Sequence, residues 1–238
     1  MSGAGKRRLI MAIYVPNVGE KEALMDILVS QALQLGLYKT QVVADGNTIY
    51  STYTELDAEA GGYATKELAN VVVVDALTAS KWYVTTNASG KAEATYDAAS
   101  TPQEWVFTAD DVANADTAYG IFAWTLTLAF ASGGTVELKV GDTITCVATS
   151  ATAICTAVRL YSGTWAGGTA AGVLCLKTQS AAFAAGAINN TGGADDYGTI
   201  TGDTDKKLIF SEAFTTEQEI DTVGQKIQYT PKITLSTA

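Results

Sequence analysis

The chain has 238 residues, with 15 Lys and Arg against 25 Asp and Glu, a formal net charge of −10 and no histidine. Without histidine there is no Ser-His-Asp or Cys-His nucleophile, no imidazole acid–base step and no imidazole metal site. So acidic a chain is also a poor partner for nucleic acid, whose phosphates require a clustered basic face. At 47% hydrophobic residues and three prolines, the composition is that of a packed core and not of a disordered chain.

Residues 1–16 read as an extended arm. Lys6, Arg7 and Arg8 are followed by Leu9, Ile10, Ile13 and Tyr14, and Pro16 cuts the apolar run short of a signal-peptide core. A basic, then apolar arm on an acidic body is expected to dock on a neighbouring chain. Gly3-Ala4-Gly5-Lys6 lacks the spacing and the preceding strand of a phosphate loop.

Asn17 to Gly36 has the pattern of an amphipathic helix. Asn17 is placed to cap it, Glu20 stands in the capping-box position and Gly36 supplies the stop. Ala23, Leu24, Ile27, Leu28, Gln31, Ala32 and Leu35 recur at three- and four-residue spacing, opposite Lys21, Glu22, Asp26, Ser30 and Gln34.

Almost everything beyond residue 36 is β-like, rich in Val, Ile, Thr and aromatics and broken by Gly, Asn and Asp. The expected strands are 37–43, 47–53, 71–75, 81–86, 91–96, 105–108, 120–130, 135–140, 143–149, 154–161, 172–178, 207–212 and 226–235. Short strands at this spacing with no second helix predict an all-β sandwich or barrel-like fold with one N-terminal amphipathic helix. The longest apolar stretch, Tyr119 to Phe130, is too short for a helical membrane span, so no membrane partner is expected.

From Gly133 to about Gly202 the chain turns Ala/Gly/Thr-rich and nearly charge-free, whereas the texture on either side is alike. The domain reading is therefore an arm (1–16), a helix-plus-β host (17–132 with 206–238) and an inserted small β domain (133–205). Asn189 to Asp205 reads as a polar surface loop. Cys146, Cys155 and Cys175 all lie in the insert. An odd number without a C-x-x-C pair points to free thiols packed as small hydrophobes in a reducing cytoplasm.

No constellation rises to a catalytic site. Asp110-Asp111 and Asp195-Asp196 are adjacent pairs that point apart, unlike the spaced carboxylates of a glycosidase. The acidic loop 195–205 has neither the EF-hand spacing nor a calcium-binding repeat. No catalytic residue, cofactor or metal is expected. Trp82, Trp105 and Trp124 are dispersed; Trp105 and Trp124 fit strand cores. Trp165 sits in the Gly/Thr loop Ser162-Gly-Thr-Trp-Ala-Gly-Gly-Thr, where a tryptophan can anchor a contact.

Leu33-Gln-Leu-Gly-Leu-Tyr-Lys, Tyr53-Thr-Glu-Leu and Gly61-Gly-Tyr-Ala resemble the succession of elements in small structural proteins of tailed bacteriophages. Trp105-Val-Phe-Thr, Tyr119-Gly-Ile-Phe, Leu208-Ile-Phe-Ser-Glu-Ala-Phe and Ile227-Gln-Tyr-Thr-Pro-Lys-Ile-Thr-Leu extend the likeness. In the insert, Gly141-Asp-Thr-Ile-Thr, Ala153-Ile-Cys-Thr-Ala-Val and Gly172-Val-Leu-Cys-Leu are similar to a β module of virion proteins. The resemblance implies a non-enzymatic virion component made in the host cytoplasm: a capsid decoration (cement) protein on the head, contacting the major capsid protein and sister subunits as a homo-oligomer. Its expected interface is Lys6, Arg7, Arg8, Leu9, Ile10, Ile13, Tyr14 and Trp165. The alternative is a tail or head-fibre module that recognises a host carbohydrate.

Overall fold

The computed structural model describes residues 17–57, 61–74, 81–96, 102–108, 116–134, 136–190 and 196–235. They form a mostly β protein with large antiparallel sheets and, among the described residues, one α-helix, α1 (Asn17–Ser30). Leu24 and Leu28, four residues apart, are its buried stripe, while Glu22, Ala23, Asp26 and Val29 face outward.

The helix stops at Ser30, six residues before the expected Gly36. Leu33, Leu35 and Leu37 also satisfy a period of two, and Leu33–Tyr38 becomes strand β1. It lies antiparallel to β7 (Asp116–Ala131), from Leu33 opposite Thr125 to Tyr38 opposite Gly120. Glu20, expected in the capping-box position, lies in the first turn of the helix. It is buried, and its Oε2 accepts the Ala92 N–H at 3.4 Å, linking the helix to a strand beneath it. Residues 47–53, expected as a strand, contain a 3₁₀ turn at Tyr50–Thr52.

β7 is the spine. Along one edge it pairs first with β1 and then, at Leu126–Phe130, with β10 (Ala171–Lys177). Along the other edge it pairs with β13 (Asp205–Ile220) from Asp116 to Thr127, and then with β12 (Asp196–Ile200) at Phe130 and Ala131.

The second half of β7 starts a closed ring. β8 (Thr143–Cys146) pairs with β9 (Thr152–Ser162), β9 with β10, and β10 with β7. In the other direction β8 pairs with β11 (Gly186–Asn190), β11 with β12, and β12 with β7. Every pairing is antiparallel, so the six strands form a small barrel filled by side chains such as Leu128, Phe130, Ile144, Cys155, Leu174 and Ile188. All three cysteines are free and buried.

Two local expectations change in this region. Val136 to Val140 alternates but is not a strand: Lys139 N–H donates to Asp142 Oδ2 at 2.7 Å, Gly141 takes φ +95°, and the chain turns while burying Leu138. Asn189 to Asp205 is not a plain loop. It carries the end of β11 and all of β12, because Tyr197 and Ile200 enter the barrel core.

The remaining described strands pack on the opposite face of β7. β2 (Lys66–Leu68) extends β1. β3 (Val72–Val73), β4 (Trp82–Thr86), β5 (Ala92–Tyr96) and β15 (Lys232–Thr234) form a four-stranded sheet, and β6 (Gln103–Val106) pairs with β14 (Lys226–Tyr229). The expected strand 226–235 breaks before Pro231, which has no N–H to offer a ladder and instead accepts the Tyr96 N–H through its carbonyl at 2.9 Å. Phe122, Trp124, Leu128 and Phe130 of β7 belong to the barrel-side core, whereas Ile121 and Ala123 join Leu24, Trp82 and Trp105 in a second core. A strand buried on both faces reads as a near-continuous apolar run, which is the texture of Tyr119 to Phe130 apart from Thr125 and Thr127.

Candidate functional site

Two features stand out beside β7. The first is a polar cluster set on aromatic rings. Tyr38, Tyr53, Phe122 and Trp124 pack as a chain of rings, and Tyr50 lies on Phe122 at a centroid distance of 5.4 Å. Glu55, held beside β1 by its bridge to Tyr38, accepts hydrogen bonds from the Tyr50 hydroxyl (3.0 Å) and the Tyr63 hydroxyl (2.9 Å). Lys206, at the start of β13, donates to the Tyr50 oxygen at 2.9 Å and lies 3.7 Å from the Glu55 carboxylate. Its ammonium also sits over the Tyr50 and Trp124 rings, 4.9 and 5.2 Å from their centroids.

Burial, and then the charge and hydrogen bond of Glu55, push both the Tyr50 and Tyr63 hydroxyls well above the usual phenol range. They stay neutral donors. Open clefts of about 600 and 310 Å³ flank Lys206, the first between Thr48–Ser51 and Thr204–Leu208, the second edged by Gln34, Glu67 and Thr178. In the second, Glu67 accepts from Gln34 Nε2 (3.0 Å) and from Thr178 N–H (2.7 Å), tying β2 to the end of β10. The cluster is a clamp of donors and acceptors; it places no activated nucleophile beside a base.

The second feature is a backbone edge. β13 is 16 residues long and largely exposed, and among the described residues it pairs along one edge only, with β7. Its ladder is interrupted twice, between Leu208 and Phe210 and between Ala213 and Gln218, leaving the regular run Phe210–Ala213 in its middle. Tyr53 and Ser211 hydroxyls meet at 2.7 Å and hold that run against the aromatic chain. The sequence pattern showed only 207–212 of this strand; the β-branched Thr215-Thr216 and the lack of proline were the signal for the rest.

The expected interface residues Lys6, Arg7, Arg8, Leu9, Ile10, Ile13 and Tyr14 lie outside the described residues, as do Asp110, Asp111 and Asp195. Trp165 is described. It is 8% exposed and stacks on Phe130 at 5.2 Å with the rings 8° from parallel, so its ring packs into the barrel-side core instead of projecting outward. Between Asp196 and Asp205, Asp196 Oδ1 accepts the Gly198 N–H, Asp203 Oδ1 accepts the Phe183 and Thr204 N–H groups, and Asp205 pairs with Lys207 at 3.0 Å. These carboxylates face separate partners, and no group of three or more His, Cys, Asp or Glu able to hold a metal occurs among the described residues. Nor is any helix among them long and apolar enough to cross a membrane. Compared with protein-family models, with curated proteins and with solved structures, the chain matches none.

Proposed function

We propose that this chain is a structural protein of a tailed-bacteriophage virion, a capsid decoration protein that binds and stabilises the head shell through contacts with the major capsid protein and sister subunits. The observation that carries the reading is the open edge of β13: a 16-residue strand that carries no second neighbour among the described residues, its regular run Phe210–Ala213 braced by the doubly buried middle of β7. Natural monomers keep such edges short or covered, whereas assembling proteins use them for strand addition. The net charge of −10 keeps the free protein soluble before it assembles. The resemblance of its strand segments to virion proteins favours the same reading.

The test is particle occupancy. Virions from the source should contain the chain in a fixed ratio to the major capsid protein. Particles stripped of it should rebind the purified protein saturably. Absence from the particle would overturn the reading. A second reading, recognition of a host glycan, has the two clefts around Lys206 in its favour; binding on a glycan array that is lost in Lys206→Ala, together with absence from the head, would select it.

A further inference from the structure

We propose that β13 pairs with β13 of a second copy, antiparallel across a two-fold axis near Phe210–Ala213, so that two barrels share one continuous sheet. The inference rests on the reading of the protein as an assembling scaffold and names the partner of its open edge.

Three observations carry it. The edge is unpaired among the described residues and most of its side chains are exposed. There is room beside it, with one cleft of about 600 Å³ along Asp205–Leu208 and another of about 390 Å³ along Phe214–Gln218. The charges along the strand are also asymmetric. Lys207 stands exposed at its start, paired only with the exposed Asp205 two residues before it while Lys206 is held by the Glu55–Tyr50 cluster, whereas Glu217 and Glu219 stand at its end, exposed and without an ion pair among the described residues.

Antiparallel apposition of two copies brings the lysine end of each against the glutamate end of the other, and the midpoint between the two charge pairs falls at about residue 212, inside the regular run. Parallel apposition sets lysine on lysine and glutamate on glutamate, which is unfavourable for residues directly opposite. The two interruptions and the charges keep the edge from indiscriminate pairing, and the same features select one sense of pairing. A two-fold operator makes the contact self-limiting, since each copy uses its edge once.

The experiment is sedimentation of the full-length protein and of two variants. Wild type should be a dimer. Lys207→Glu and the double variant Glu217→Lys/Glu219→Lys should each weaken dimerisation by about tenfold or more, since two-fold symmetry repeats every lost cross-strand charge contact. An equimolar mixture of the two variants should recover a heterodimer. Both variants change exposed side chains only, and far-UV circular dichroism reports whether either fails to fold. A wild-type monomer overturns the proposal, as does a dimer indifferent to both changes. Particle occupancy is measured separately: a monomer that still decorates particles removes the self-pairing and leaves the virion role standing, and a charge-selected dimer absent from particles does the reverse.

Discussion

Trp165 offers the sharpest test of how the barrel is built. The β9–β10 connection folds inward, with Gly168 N–H returning to the Trp165 carbonyl at 2.9 Å and Gly133 N–H donating to the Ala170 carbonyl at 2.8 Å. The indole thereby closes over Phe130 near the end of β7. Trp165→Ala removes nearly all of a large buried side chain. Truncation of a buried tryptophan costs about 3–5 kcal/mol including the cavity, and about 1 kcal/mol of this belongs to the ring pair. The residual exposure of 8% argues for the lower half of that range, about 3–4 kcal/mol. With a urea dependence of about 2–3 kcal/mol per molar for a chain of this size, the midpoint should fall by about 1–2 M at unchanged slope. Urea titration followed by far-UV circular dichroism reads this directly. Phe130→Ala in the same background should cost about 1 kcal/mol less than alone, because the two side chains share one contact. A Trp165→Ala shift of under about 0.3 M would match an exposed side chain and would refute the packing argument.

Gly172→Ala on β10 directs its new methyl at the Arg159 carbonyl oxygen on β9, backbone that cannot rotate away, and should lower stability by about 2–3 kcal/mol in the same urea titration. Asp203→Ala should cost about 1 kcal/mol and speed hydrogen exchange at the Phe183 and Thr204 amides, since one exposed carboxylate holds both. Burial raises the Asp203 carboxyl, yet those N–H groups and Gln179 outweigh it and hold the group below its usual 3.8. Its contribution is therefore present above that pH and lost as pH falls through the lower folded value. At the alkaline end, burial first and then neighbouring negative charge push the Cys155 thiol from 9 to about 12 and the Tyr38 phenol from 10 to about 12. Each stabilises fully below its unfolded value, so the urea midpoint should hold to about pH 9 and fall from there to 12; Cys155→Ala should remove its share of the part that begins at 9 and leave that of Cys175, which burial also raises.

Several elements were legible because burial leaves a local period. β7 announced itself as a long apolar run, β4 and β5 as short alternating runs, and α1 through Leu24 and Leu28. Leu33–Tyr38 was misread because Leu28, Gln31, Ala32 and Leu35 continue a helical face while Leu33, Leu35 and Leu37 alternate as a strand, and the ladder to β7 resolves the choice in favour of the strand. Val136–Val140 failed the other way: alternation without a neighbouring strand gives a turn. β12 was hidden because only Tyr197 and Ile200 interrupt an otherwise polar segment.

Nothing in the local pattern marked Lys206, Glu55, Tyr50 and Tyr63 as one cluster. Their contacts span up to 156 positions of sequence, and only the pairing of β13 with β7 brings Lys206 over Tyr50 and Trp124. The sequence by itself determined the all-β class, the single helix, the doubly apolar spine and the lack of histidine chemistry, because composition and period are properties of a segment. Ring closure, the inward turn of Trp165 and the open edge of β13 were decided by the tertiary structure alone. Each depends on which strand lies beside which, and that choice is made by the shared burial and hydrogen bonding of residues far apart in the chain.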